Sequence, residues 1–416
     1  MKKLAETLAV ASLLVIAIAP AAAAKDIKLG HLTYHSGQYA GFGPFFDGVT
    51  EFVVDEINQT PPLGRRVTAI HEDSGTVGEW RAVKKLLDKH QADIVLNVSH
   101  QYETYRNKLL KRIAFLKKPL IPSVHGGSID AAFGGIAEEP LFRGSPMDSA
   151  QSAAAMLHIK NSGKKTVVLV ANNLKGHLLQ MKAAQRSAER LGLTVLGSLV
   201  FQPNWTDYSS VVSQVALKKP DAVAVFSTPS NGGIFVKNAA NAGHSWFLVG
   251  TSEWQERDFR NKATMEAIQQ HQSVLLSAYA NDDSPAWQHY KTAAEASEQI
   301  DVIGDVSNSY ALQYYDLLVA SALAIEKAGS LESSKWSKAM YEVTGGDGMV
   351  VYNYSDGINA IRAGKEINYD GVTGSMEFTE TGVVAGLFGI FRWTDRDMIE
   401  QVAIADGDVV ADLDQN

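Results

Sequence analysis

The feature that most narrows the fold of this chain is an alternation. From residue 27 onward, short runs rich in β-branched residues trade places with stretches whose apolar residues recur at helical spacing. Strand-like runs at 27–34, 66–71, 93–98 and 119–124 are separated by helical patterns at 45–58, 82–90 and 102–115. A second series follows residues 140–146, with helical 149–160, strand 166–170, helical 178–191, strand 194–201, helical 208–217, strand 221–226, helical 233–242 and strand 246–249. Such βαβ alternation predicts parallel sheets covered by helices on both faces, and two series predict two α/β lobes. A strand at 272–279 and a long helix at 310–328 come next. The segments 371–378 and 387–393 then read as strands around a turn at Glu380-Thr381-Gly382. No fixed-period repeat and no low-complexity linker interrupts the pattern.

The first 24 residues stand apart. Lys2 and Lys3 precede an apolar run from Leu8 to Ala19 broken only by Ser12, then Pro20 and the small-residue stretch Ala22-Ala23-Ala24. That is the layout of a cleaved export signal, with Lys25 as the new N-terminus. A membrane anchor would need about 20 apolar residues, and this run is shorter. The leader carries two Lys and one Glu, so the remaining 392 residues carry −9 rather than the whole chain's −8. This balance speaks against nucleic acid, whose binding surfaces cluster Lys and Arg. The chain has no cysteine, which removes disulfides, thiolate metal sites, cysteine nucleophiles and a lipidated N-terminal cysteine. With no later membrane-spanning stretch, the exported chain is expected to be water-soluble and to rest on its core alone.

Chemistry-bearing motifs are then tested one at a time. Residues 34–46, YHSGQYAGFGPFF, place three glycines between a strand and a helix. A dinucleotide fingerprint begun at Gly41 needs glycine where Phe46 stands, and a P-loop begun at Gly37 needs Gly-Lys where Phe42-Gly43 stand. What remains is a turn carrying Ser36, Tyr39 and Phe42 at the carboxyl edge of a strand, where open α/β sheets bind ligands. Two readings stay open: a ligand wall, or an ordinary βα turn with buried aromatics. Gly250-Thr251-Ser252-Glu253-Trp254 and residues 126–130 lack the closing glycine of a nucleophile elbow. His71-Glu72 opens a zincin motif that Gly75 ends, and Asp406-Gly407-Asp408 opens a calcium loop that Val410 ends. The acidic tail reads as a solvated end, and no two carboxylates are spaced for acid–base work. His31, His35, His100 and His125 all fall at strand ends. A metal on His35, His100 and His125 is conceivable, but the spacing favours ligand or backbone hydrogen bonds, and no cofactor is implied.

At this point the residues carry a resemblance. Segments 36–58 (SGQYAGFGPFFDGVTEFVVDEIN), 63–75 (LGRRVTAIHEDSG), 92–100 (ADIVLNVSH), 118–128 (KPLIPSVHGGS), 221–243 (DAVAVFSTPSNGGIFVKNAANAG), 309–329 (SYALQYYDLLVASALAIEKAG) and 369–382 (YDGVTGSMEFTETG) stand in a telling order. In that order and spacing the chain resembles the periplasmic substrate-binding proteins of branched-chain amino acid (Leu/Ile/Val-type) ABC transporters, with Asp73 at the usual acidic position. The resemblance implies a type I binding-protein fold: two Rossmann-like lobes joined by three crossovers, residues 25–145 with 280–383 and residues 146–279 with 384–416. It implies a non-enzymatic, monomeric periplasmic receptor that closes on a small molecule and hands it to an ABC transporter permease.

By the same resemblance, Phe42 falls beside the ligand side chain, and Ser99 and His100 at the loop that binds the ligand carboxylate. Thr228 matches a position often held by tyrosine, Glu253 (or Ser252) the acid that binds an ammonium group, and Tyr310 an aromatic on the long helix. Family members commonly carry a Ser-Ala-Thr-like stretch where this chain has His125-Gly126-Gly127. That departure raises a small carboxylate, held by His100 and His125, beside the amino-acid expectation. A ligand-sensing subunit and, further off, an exported hydrolase or lyase are the alternatives.

Overall fold

The computed structural model describes residues 25–99, 101–116, 123–126, 133–278, 284–394 and 398–414. The leader, His100 and Gly127 therefore lie outside the described residues, as does part of the strand expected at 119–124. The first sheet contains β1 (Ile27–Thr33), β2 (Val67–Asp73), β3 (Ile94–Val98), β4 (Ser123–Gly126) and β5 (Leu141–Arg143), all parallel, in the order β2-β1-β3-β4-β5. β6 (Thr166–Asn172), β7 (Thr194–Phe201), β8 (Ala222–Phe226), β9 (Phe247–Val249) and β10 (Gln272–Ala278) repeat that winding in a second sheet. A small third sheet is made of β11 (Met349–Val351), β12 (Ile367–Gly371) and β13 (Gly374–Ser375). Finally β14 (Phe388–Trp393) and β15 (Ile399–Ile404) extend the second sheet as an antiparallel hairpin beside β10. In a doubly wound sheet of this order, the crevice lies outside the carboxyl ends of the strands where the winding reverses, here between β1 and β3 and between β6 and β8.

The sequence explains the elements. β6 and β8 are continuous Val/Ala/Leu runs, as a parallel strand buried on both faces requires, and all five residues of β8 are buried. The helix Phe42–Gln59 begins three residues earlier than its apolar spacing suggests, with Pro44 in its first turn where the missing N–H costs nothing. The glycines of residues 34–46 also have a mechanical reason. A Cβ at Gly43 would lie 2.3 Å from the Tyr34 carbonyl oxygen, and Gly37 sits at φ +78°. Gly43 thus lets the helix pack tightly against the end of β1, Gly37 takes a left-handed turn, and Gly41 stands in open space. The long helix Ser309–Ala328 is capped by Asn308, whose Oδ1 accepts from the Tyr310 N–H at 2.9 Å, and stops at Gly329 with φ +61°.

Two expectations are corrected. Residues 371–378 do not form a continuous strand paired with 388–393. The Val372 and Thr373 N–H groups donate instead to the buried Asp316 carboxylate at 2.8 Å, which pulls the chain out of a ladder, and β14 pairs with β10 and β15. Of that expected hairpin, the described contacts keep the turn and a single bridge between Phe378 and Val384. The acidic tail is not merely a solvated end: Gly407–Asp414 is a helix that buries Val410 and Leu413 in the second core. The helices Pro285–Glu295, Ser333–Thr344 and Tyr354–Arg362 have no counterpart in the sequence reading.

Candidate functional site

The loop after β1 is held by the last residue of β2. Asp73 accepts from the Ser36 hydroxyl at 2.6 Å, the His35 N–H at 2.9 Å and the Gly75 N–H at 3.0 Å. Burial works against its charge, but these bonds outweigh it and hold the carboxyl below its usual range. Ser36 is thereby spent on the loop itself. The anchored loop presents Tyr39 and Phe42, whose ring centroids lie 6.4 Å apart, and Phe42 meets the Tyr310 ring edge-on at 6.0 Å.

Tyr310 is the first contact between the two halves of the site. Its hydroxyl lies 2.9 Å from Ser252 Oγ, on the short turn Ser252–Gln255 that follows β9. The next residue is Glu253. One of its carboxylate oxygens faces His177 Nε2 at 3.0 Å, while Glu253 Oε2 and His177 Nδ1 are both buried with no hydrogen-bond partner. Burial and then the negative charge of Glu253 push the Tyr39 and Tyr310 hydroxyls well above their ordinary value. Two tyrosines from the first lobe therefore converge electrostatically on one acid from the second. An unpaired buried carboxylate oxygen is costly, so it calls for an occupant.

Four of the expected residues, Phe42, Tyr310, Ser252 and Glu253, are thus brought together. Two others are engaged elsewhere. The buried Ser99 hydroxyl donates to the Glu79 carboxylate and lies 3.0 Å from the Tyr105 hydroxyl; the Thr228 hydroxyl donates to Asn231 Oδ1 at 2.8 Å. Glu79 also receives the Tyr34 hydroxyl at 3.0 Å, and the Tyr34 ring lies 5.4 Å from that of Tyr39. Ser99 thus supports the aromatic wall through Glu79. Gly126 closes β4 opposite Val98 and puts its backbone at the carboxyl edge; His125 stands opposite Asn97, and its side chain lies outside the described residues, as does all of His100. Sequence reasoning missed Glu79 and His177, and no motif announces either. His35, the third member of the conceivable metal set, bonds Asp47 at 2.6 Å instead. Among the described residues, His31, Asp47 and His71 form a group able to hold a metal ion.

Further contacts join the halves. Gln255 Nε2 donates to Ser309 Oγ at 3.0 Å, Asn308 Nδ2 to Glu256 Oε1 at 3.0 Å, and Lys175 pairs with Glu103. Beside them a cavity of ≈ 650 Å³ is lined by Phe45, Gln255, Glu256, Asn308 and Trp393. Burial pushes the Glu256 carboxyl up to about 7, against the pull of the Asn308 bond.

Comparison with known proteins fits this layout. The periplasmic binding protein family model matches residues 26–387. The chain belongs to the periplasmic binding protein family. Its matched model is of the leucine/isoleucine/valine-binding type. Among solved structures, the binding protein is similar to a leucine-binding protein, LivK, from Thermotoga maritima, at 16% identity and a TM-score of 0.73 over 92% of this chain and 99% of that one. An ABC transporter solute-binding protein from R. palustris in complex with benzoate matches at 16% identity and a TM-score of 0.72, over 91% and 96% of the two chains. A curated relative, the chemotactic signal transduction system substrate-binding protein BasB of Halobacterium salinarum, is 26% identical over 275 residues, 62% of this chain. The chain spans 59% of the length of that relative. No helix among the described residues is long and apolar enough to cross a membrane.

Proposed function

We propose that this binding protein is a periplasmic solute receptor, not an enzyme, which captures a small molecule bearing an ammonium group between its lobes and passes it to an ABC transporter permease. The observation that carries the reading is Glu253 Oε2, buried, without a partner, and close enough to Tyr39 and Tyr310 to perturb both. A cationic group set there gains a charge-assisted hydrogen bond. The similar protein named for leucine agrees with an amino acid as cargo, whereas the one in complex with benzoate holds a carboxylate without an amino group, the alternative that the screen below separates. By the family resemblance, the carboxylate end would rest at the backbone of Gly126, with His100 and His125 as its expected side-chain partners.

In this reading residues 25–145 with 280–383 and 146–279 with 384–416 are the two closing bodies, exported as a monomer after cleavage following Ala24. The crossovers are the stretches near 145, 280 and 384, two of which are tied together where Arg143 N–H donates to the Gly382 carbonyl at 2.7 Å. Contacts to both bodies by one ligand shift the population toward closure. The likeness to a chemotactic binding protein favours a second reading, in which the closed form reports to a receptor.

A thermal-shift screen of residues 25–416 against amino acids, the matching carboxylates lacking the amino group, amides and amines tests the proposal. A ligand at 100 times its dissociation constant stabilises the fold by about 2.7 kcal/mol. Hits confined to amino-bearing compounds are expected, and hits confined to carboxylates without an amino group would overturn the role of Glu253.

A further inference from the structure

A cluster of ligating groups lies away from the Tyr310–Glu253 contact, on the flank of the first helix. His31 on β1 and His71 on β2 are direct neighbours in the parallel register, and Asp47 and Glu51, one turn apart on Phe42–Gln59, lie over them. The two Nδ1 atoms are 2.9 Å apart, and Asp47 Oδ1 is 3.4 Å from the first and 3.1 Å from the second. All three ligating atoms fall within 4.8 Å of one another. One hydrogen bond can account for the 2.9 Å contact between the two Nδ1 atoms, but Asp47 Oδ1 is buried beside them and is left without a hydrogen-bond partner. In tetrahedral coordination with bonds of about 2.0–2.1 Å, neighbouring ligand atoms stand roughly 3.3 Å apart.

From this geometry we infer that His31 Nδ1, His71 Nδ1 and Asp47 Oδ1 form a binding site for a divalent transition-metal ion of zinc type.

The surroundings have the order such a site needs. His71 Nε2 is 2.7 Å from Glu51 Oε1 and donates to it, which fixes the tautomer that leaves Nδ1 as a lone-pair donor. His35 Nε2 bonds the other Asp47 oxygen at 2.6 Å and orients that carboxylate. His31 is fully buried, whereas the His71, Asp47 and Glu51 side chains are 23%, 21% and 41% exposed, so an ion has a way in and a fourth position can hold water. The carboxylates also call for a cation. With nitrogen and oxygen donors and no sulfur, the site suits zinc rather than calcium or magnesium, which take all-oxygen shells. The ion would pin the first helix to β1 and to the edge strand β2, a few residues from Tyr39 and Phe42. The site is independent of the solute cleft and of the ligand proposed for it.

Calorimetry of the tag-free, chelator-treated chain with Zn²⁺ tests this. Saturable one-to-one binding and an upward shift in melting temperature are expected, with no comparable response to Mg²⁺ or Ca²⁺. His71→Gln and Asp47→Asn are expected to abolish the binding, Glu51→Gln to weaken it about 10–100-fold, and His244→Gln to leave it unchanged. Because Asp47→Asn also breaks ion pairs, the visible spectrum of the Co²⁺-loaded wild-type chain provides a separate readout, with tetrahedral bands expected. Absence of saturable binding, equal binding in folded His71→Gln, or an octahedral spectrum would overturn the site and would leave a proton as the cluster's only cation.

Discussion

The two large sheets share a winding order and differ in what packs against them. The core around the first sheet is crowded with large aromatics: Phe46 stacks on Tyr314 at 4.7 Å, Phe52 on Tyr315 at 5.9 Å, and Phe142 meets Trp336 at 5.2 Å. It also buries polar groups such as His31, Glu79 and Asp316. The second sheet packs Phe201, Phe235 and Trp254 on one side, but on the other the helix Asp148–Asn161 approaches its Val, Leu and Ala residues through Ala153, Ala154 and Ala155, each 2% exposed or less. The same topology thus supports a polar, networked region around Asp316 and a smooth, close-packed one under Asp148–Asn161. In the first, position is set by directional bonds; in the second, by volume.

Asp316 gives the largest expected effect that could break this contrast. It accepts from the Tyr369 hydroxyl at 2.7 Å, the Val372 and Thr373 N–H groups at 2.8 Å, and the Thr373 hydroxyl at 2.7 Å. Asp316→Ala leaves these donors buried without an acceptor and is expected to cost about 3–4 kcal/mol in urea unfolding. A loss below about 1 kcal/mol would mean that the first lobe does not depend on its polar network. In the second lobe the sensitive quantity is space. Ala154→Leu is expected to cost about 1–3 kcal/mol by overpacking, and a neutral result would show that the helix there can yield.

Smaller effects sharpen the comparison where the lobes meet. Tyr310→Phe removes the hydroxyl that reaches Ser252 and is expected to weaken closure by about 1 kcal/mol, read as a roughly fivefold loss of ligand affinity with little change in stability. Glu256 supplies a pH test. Its folded value, about 7, stands above the ordinary 4.5. The neutral form is therefore the one the fold favours, and its contribution is fully present below the ordinary value and lost as pH rises through about 7. The melting temperature should fall more steeply over that interval in the wild type than in Glu256→Gln. Identical slopes would remove Glu256 from the account.

How far the sequence could go follows from what each feature depends on. The βαβ order of both sheets was legible because parallel strands and amphipathic helices write their periods locally. The helices Pro285–Glu295, Ser333–Thr344 and Tyr354–Arg362 were not read: Ser333–Thr344 follows another helix rather than a strand, and Trp336 and Tyr354 become core residues only through tertiary packing. β14 could be found but not its partners, because pairing is a long-range property. In the site, Tyr39, Phe42, Tyr310 and Glu253 sit at strand or helix ends whose place the alternation fixes. Glu79 matters only because it meets Ser99, 20 positions away, and His177 only because it meets Glu253. The His31–His71 pair had one readable sign: two histidines on adjacent strands, with Asp47 and Glu51 at helical spacing between them.

The most direct measurement is calorimetric titration of the best ligand from the screen into the wild-type chain and into Glu253→Gln. The account predicts tight one-to-one binding to the wild type and a loss of at least about 10-fold in the variant, as expected for a charge-assisted bond worth about 1.5–3 kcal/mol. Unchanged affinity in a folded Glu253→Gln protein would contradict it, and would move the solute away from the acid on which Tyr39 and Tyr310 converge.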